Sequence, residues 1–406
     1  MGLDELLSRY AVRRAHVLVV EVPGAWVTRV RLEQVMLERG WRPALSPANA
    51  DLLAVCGAPG PQLREVVERL WEQLPGPRAR VDLLDIAGLP TALDVAVEDI
   101  SNGDRQKDDA RSRPTAPNVD SSSDGHQDMD HGGTDHGDMD HGDMDHGGMD
   151  HGGMVMAPDG IPLAEGGEDR DGLEMDVLHL RLGPVLPHWP AGLVLRCALQ
   201  GDVITEAEGH RVDNLDDLDS DPGGDSPADE LNDSGPAADG ATVGATAYPG
   251  LGSLAPAWRW DNIAKLLALA GWEDAAAHAR HIRDAQLTTD GPHDSDAPLK
   301  ALRRRLGRSR TLRWCLRGLR PVGIADCKAH SLPEHLVGDT YDRLLAMLDR
   351  ASGPAESAAT DTMHAPDVSP EAAARLVVGL DLAAARLVVA SLDMPPMPSR
   401  EAATRV

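Results

Sequence analysis

A run of sequence that cannot bury a face divides this chain of 406 residues. Six histidines, His126, His131, His136, His141, His146 and His151, recur every fifth residue within DGHQDMDHGGTDHGDMDHGDMDHGGMDHGGM. The run has neither the two-residue nor the 3.6-residue apolar period, so nothing in it can pack one side against a core. It lies within residues 98–155, which carry 15 acidic and 4 basic side chains. A second stretch, residues 205–240, carries 12 acidic and 1 basic. Both are rich in Asp, Gly, Ser and Pro and short of apolar residues, which predicts disordered linkers. Together they hold 22 of the chain's 27 net negative charges. The overall charge argues against a nucleic-acid partner, yet the acidity belongs to the linkers. What remains is nearly neutral and is long enough for two or three domains with cores of their own.

The first piece alternates. Residues 15–22 (AHVLVVEV) are an apolar run that Pro23-Gly24 ends, as in a buried strand. Val30, Leu32, Val35 and Met36 then recur at helical spacing up to Gly40, a natural helix stop. A second apolar run, residues 51–56, leads through Gly57-Ala58-Pro59-Gly60 to Pro61, suited to a first helical position. The helix it opens carries Leu63, Val66, Val67, Leu70 and Leu74 on one face, and the strand-like RVDLLDI follows. Strands alternating with helices of this length predict a parallel α/β sheet over residues 10–97. Residues 98–172 are then the His/Asp/Met/Gly-rich linker, and 173–204 alternate as an antiparallel β unit. Residues 205–250 form the acidic insertion. Residues 251–394 read as a helical bundle, with Ser369 and Pro370 opening its last part. The expected fold class is a small α/β domain followed by an α+β domain with a short antiparallel unit and a helical bundle. Aromatics make up only 3% and Phe is absent, so these cores must be built from Leu, Val, Ala and Trp.

Cys56, Cys197, Cys315 and Cys327 are widely separated, which excludes a zinc ribbon, a ferredoxin-type motif and a disulfide framework. The opening MGLDELLSRYAVRRAH has no apolar signal core. The most apolar stretch, near 372–392, contains Arg375, Asp381 and Arg386 and is no membrane span. A soluble, cytoplasmic protein is expected.

Both halves resemble subunits of the NADH–quinone oxidoreductase (complex I) and nickel–iron hydrogenase superfamily. RPALSPANADLLAVCGAPGPQLREVVERLWEQLPGPRARV is similar to the small, cluster-bearing subunit, with Ser46-Pro47, Ala50-Asp51 and Leu74-Pro75 as landmarks. LRLGPVLPHWPAGLVLRCALQGDVI and VGDTYDRLLAMLDRAS are similar to segments of the partner that shapes the quinone pocket, or of the hydrogenase large subunit. The resemblance implies that the halves pack together and that the partners are redox subunits at the inner face of the cell membrane. Membrane attachment would then come through those partners alone. Where the family's small subunit ligates its cluster by cysteines after the first strand, this chain reads LVVEVPGAW and offers Glu21. An iron–sulfur cluster is therefore not expected. The family's pocket histidine falls on Leu186, with His188 two residues on. A later family motif survives as Gly209-His210-Arg211. His188 and His210 are thus the quinone-pocket-like positions, and no catalytic residue is assigned.

These departures lead to an expected non-catalytic accessory or structural component of a complex I-like or hydrogenase-like system. One alternative is an active oxidoreductase subunit that binds quinone between its halves. Another is a metal-binding protein acting through the repeat, where the six histidines with Met139, Met144 and Met149 offer ligands for copper, nickel or zinc. The bland reading of the repeat is an expanded low-complexity linker. The basic run Arg303–Arg320 reads as a solvated face or a partner for the acidic linkers, because Trp314 is its one interleaved aromatic. Gly57–Gly60 reads as a plain strand–helix turn, and Asp339, Asp342 and Arg343 as helix-capping and pairing residues.

Overall fold

The computed structural model describes residues 14–113, 165–168, 174–212, 251–288, 296–352 and 368–397. The His/Met repeat and most of the acidic insertion lie outside the described residues.

The first half is an α/β unit. Strands β1 (His16–Glu21), β2 (Arg42–Pro43), β3 (Leu52–Cys56) and β4 (Ala79–Leu83) form a parallel sheet in the order β2-β1-β3-β4. Val17 and Leu52 face one core, packed on α1 (Trp26–Arg39) and α3 (Leu89–Ser101). Leu18, Val20, Leu53 and Val55 face the other, shared with Leu63 and Val67 of α2 (Pro61–Gln73). A sheet covered on both faces explains why its central strands β1 and β3 read as apolar runs. Gly40 ends α1 in the left-handed region (φ 74°), and its N–H returns to helix carbonyls.

Two boundaries differ from the sequence expectation. The linker expected from residue 98 begins later, because α3 runs to Ser101 and α4 spans Gly103–Ser112. This polar helix is held from outside. Asn102 caps it, Gln106 bridges to the Arg78 backbone at 2.8 and 2.9 Å, and Asp109 takes two bonds from the buried Arg78 at 3.0 and 3.1 Å. The acidic insertion expected from residue 205 also starts later, after a strand that runs to Arg211.

The second half opens on an antiparallel sheet of β5 (Glu165–Glu168), β6 (Glu174–Leu182), β7 (Leu193–Gln200) and β8 (Val203–Arg211), in that order. β5 falls inside the expected first linker. β7 is apolar along one face (Leu193, Leu195, Cys197, Leu199) and carries Arg196 and Gln200 on the other, whereas β8 buries Ile204 and alternates with exposed Glu206 and Glu208. Pairing of Cys197 with Ala207 and Leu195 with Gly209 holds this acidic strand in the sheet. The helices follow: α5 (Leu251–Leu269), α6 (Glu273–Thr288), α7 (Asp296–Arg308), α8 (Arg310–Leu316), α9 (Ile324–Ala329), α10 (Thr340–Ala351), α11 (Pro370–Val377) and α12 (Leu382–Ala390). Ser369 caps α11, as its sequence implies. Gly379 (φ 84°) and the cap Asp381 then split the terminal helical stretch in two. Among the described residues no helix is long and apolar enough to cross a membrane.

The halves share cores. Val194 and Val212 complete the α2 face of the parallel sheet, and Trp26 and Val30 pack against Ala257 and Trp258.

Candidate functional site

The junction of the halves holds a buried ion cluster. Glu21 ends β1, Arg29 and Glu33 sit one helical turn apart on α1, and Asp261 and Lys265 are likewise spaced on α5. Arg283 projects from α6. The Arg29 guanidinium donates to all three carboxylates: to Glu21 Oε2 at 2.7 Å, Glu33 Oε1 at 2.5 Å and Asp261 Oδ2 at 2.5 Å. Arg283 Nη1 donates to Glu33 Oε2 at 2.7 Å and to Asp261 Oδ1 at 2.6 Å. Lys265 Nζ lies 3.1 Å from Asp261, and the Trp26 indole donates to the same oxygen at 3.1 Å. Arg283 also donates to the Asp284 carboxylate at 2.8 Å, so three cations face four carboxylates and each buried charge has a partner of opposite sign.

Burial opposes ionisation of Asp261. The neighbouring Arg29, Lys265 and Arg283 overcome it and hold the carboxyl well below its usual value. Glu33 follows the same logic: burial pushes it up, Arg29 and Arg283 pull it down, and it settles at about 2. Carboxylates depressed in the folded state contribute stability above their ordinary pKa of about 4.3, and that contribution is lost as the pH falls through the folded values. Acid titration followed by circular dichroism is expected to show unfolding that begins below about pH 4.5 and deepens towards about pH 2. Glu33→Gln should make the loss shallower, and an unchanged profile would remove this group from the transition.

Beside the cluster lies a narrow cleft. Glu21 and Trp26 line it from the first half, His188 from the β6–β7 loop, and Trp258, Asn262 and Lys265 from α5. Met394 and Met397 close it from the C-terminal segment. Asn262 Nδ2 donates to Met394 O at 2.9 Å, and Asp393 beside it takes a 2.8 Å bond from Arg350. The loop is pinned: Arg386 donates to Pro187 O at 2.8 Å, and the Trp189 indole donates to Leu193 O at 2.8 Å. His188 is held at φ 62°, which a non-glycine residue adopts only under constraint. Burial, then Lys265 and Arg280, push its pKa down to about 4, so its imidazole is neutral at neutral pH. His210 stands elsewhere. It neighbours Arg211 on β8 and therefore faces the other side of the sheet, while Arg211 lines the cleft. Of the two pocket-like histidines, His188 lines the cleft, while His210 pairs with Val194 across the sheet and shares the face that carries Val194 and Val212.

The donor set does not fit an iron–sulfur cluster, which takes about four thiolates. Cys56 is buried at the end of β3, opposite Glu21 in the sheet register. Burial first, and then the Glu21 carboxylate, push its thiol far above the usual range. Cys197 and Cys327 lie in the core beneath the antiparallel sheet, and Cys315 packs on the helical core. The cleft is narrow as it stands, with a volume of about 30 Å³, enough for about one or two waters. Among the described residues no group of three or more His, Cys, Asp or Glu is arranged to hold a metal ion.

No family model and no curated protein matches this chain.

The similar segment GDTYDR takes a structural part. Asp339 caps α10, accepting the N–H groups of Tyr341 and Asp342 at 2.9 Å and of Gly318 at 2.7 Å. Arg343, fully buried, makes no side-chain pair along its helix with either aspartate. It donates to Ser391 Oγ at 2.8 Å, Thr340 Oγ1 at 2.8 Å and the carbonyls of Arg320 and Gly338 at 3.0 and 2.9 Å. It ties three segments together.

Of the junction residues, the sequence reading reached Glu21 and His188 and missed Arg29, Glu33, Asp261, Lys265 and Arg283. One signal was available. Arg29 and Glu33 fall on the same turns as Trp26 and Val30, a face that would otherwise be apolar.

Proposed function

We propose that this chain is a non-catalytic accessory or structural component of a complex I-like or hydrogenase-like oxidoreductase system, acting at the inner face of the cell membrane. One observation carries the reading: the end of β1, where the similar small subunits ligate a cluster, is occupied here by the Glu21–Arg29–Asp261 contacts that clasp the two halves. An ion cluster in which both guanidiniums and the Glu21, Glu33 and Asp261 carboxylates are engaged positions protein surfaces and transfers no electrons. The raised thiol of Cys56 and the small cleft support the same reading against an active, quinone-binding subunit.

Anaerobic purification from the native host, with assays for iron, acid-labile sulfide, copper, nickel and zinc and a visible spectrum, tests it. The expected product is colourless and lacks stoichiometric iron and sulfide. Near-stoichiometric iron and sulfide would overturn the reading. Copper, nickel or zinc in their place would move the function to His126–His151, where imidazoles and thioethers supply the ligands.

A further inference from the structure

Between Lys300 and Arg320 there are nine basic residues and no acidic one, in a protein whose net charge is −27. The structure gives this run a geometry. Leu302 and Leu306 of α7, and Leu312 and Leu316 of α8, enter one shared core. The residues opposite them at helical spacing therefore turn outward. On α7 these include Arg304 and Arg308; on α8 they are Arg310 and Trp314, with Arg317 at the helix end. All five are exposed, and the Trp314 side chain is 85% accessible. Other cations of the run are engaged: Arg303 pairs with Asp349 at 2.5 Å, Arg305 stacks over Trp272, and Arg313 covers the Tyr341 ring. Arg304, Arg308, Arg310 and Arg317 have no carboxylate partner among the described residues.

We propose that this face is a docking surface for an anionic lipid bilayer. Four exposed guanidiniums with no carboxylate partner among the described residues, carried on two consecutive helices with one exposed indole, match a layer of phosphate headgroups. Clusters of four to eight basic residues bind anionic leaflets, and tryptophan prefers the headgroup level. The apolar sides of both helices are spent in the core, so the contact is a surface one and neither helix inserts. The chain's acidity does not forbid it, because charges beyond a Debye length of about 8 Å are screened at physiological salt. A single-stranded nucleic acid would share the phosphates but needs several stacking aromatics along the groove, and Trp314 stands alone in this run. The inference is independent of whether the protein serves an oxidoreductase.

Co-sedimentation of the full chain with phosphatidylcholine vesicles, with and without phosphatidylglycerol, tests the proposal, alongside retention of single-stranded RNA. Binding is expected to anionic vesicles only and to fall as salt rises. Each of Arg304→Gln, Arg308→Gln, Arg310→Gln and Arg317→Gln should lower vesicle affinity about fivefold. Trp314→Ala should abolish the blue shift of tryptophan emission that accompanies binding. These side chains are exposed, so unchanged circular dichroism will certify the variants. Failure to bind anionic vesicles overturns the proposal. So does binding that the four arginine variants leave intact, or RNA binding that they abolish while vesicle binding is absent.

Discussion

Asp261→Ala is expected to destabilise the protein by about 3–5 kcal/mol, the cost of breaking a buried ion pair by removing one partner. Against a total stability of about 5–15 kcal/mol for a domain, that is enough to leave a large unfolded fraction. The geometry explains the size. Asp261 accepts from Arg29, Arg283 and Trp26 at 2.5, 2.6 and 3.1 Å, with Lys265 at 3.1 Å. Its loss leaves two guanidiniums, in residues only 6% and 1% exposed, with Glu21 and Glu33 between them and the neighbouring Asp284 on Arg283 alone. It also orphans the buried Trp26 indole N–H. Because α1 belongs to the first half and α5 to the second, the damage falls on their junction. Urea denaturation of Asp261→Ala, Arg29→Ala and the double variant forms the appropriate cycle. The double variant should cost clearly less than the sum of the singles, since the second change removes a charge already stranded. Additive costs, or a shift below about 1 kcal/mol for Asp261→Ala, would mean that the cluster does not hold the halves together.

How much of this the sequence carried depends on the range of the interaction. β1 and β3 were legible because each is apolar on both faces and is ended by proline or glycine, whereas β2, two exposed residues, was not. The ends of α1, α2 and α11 were legible through Gly40, Pro61 and Ser369, whose local chemistry acts within a few residues. α4 was not. Its ten residues are GDRQKDDARS, with no apolar face, and its support comes from Arg78, remote in sequence. β8 was hidden because its exposed alternate positions are acidic and merge with the insertion that follows. The ion cluster was hidden for a similar reason. Arg29 and Asp261 are 232 residues apart, and a charged residue that ends up buried looks, in sequence, like any surface charge. His188 was legible as a position but not as a state: its left-handed backbone and depressed pKa come from the loop pinned by Arg386 and Trp189.

Gly209→Val is expected to destabilise by about 3 kcal/mol, at the upper end for overpacking, and His210→Ala by much less. The two residues are neighbours in Gly209-His210-Arg211, where the sequence pointed to the histidine and the close contact lies at the glycine. A Cβ built on Gly209 would lie 1.9 Å from the Pro370 carbonyl oxygen and 2.3 Å from its carbon, so β8 approaches the start of α11 more closely than any side chain permits. Backbone cannot swing aside as a long side chain can, and α11 is fixed there by its Ser369 cap. Gly209 has no left-handed backbone, so alanine or valine would otherwise be welcome in this strand and the whole cost is steric. Gly271 supplies the opposite control. It sits at φ 76° with nothing within 4 Å of an added Cβ, so Gly271→Ala should cost only the conformational penalty of about 1–2 kcal/mol. Thermal and urea unfolding of Gly209→Ala, Gly209→Val and Gly271→Ala separate the two effects. At Gly209 the cost should grow from alanine to valine, and a valine variant as stable as the parent would refute the close contact between β8 and α11.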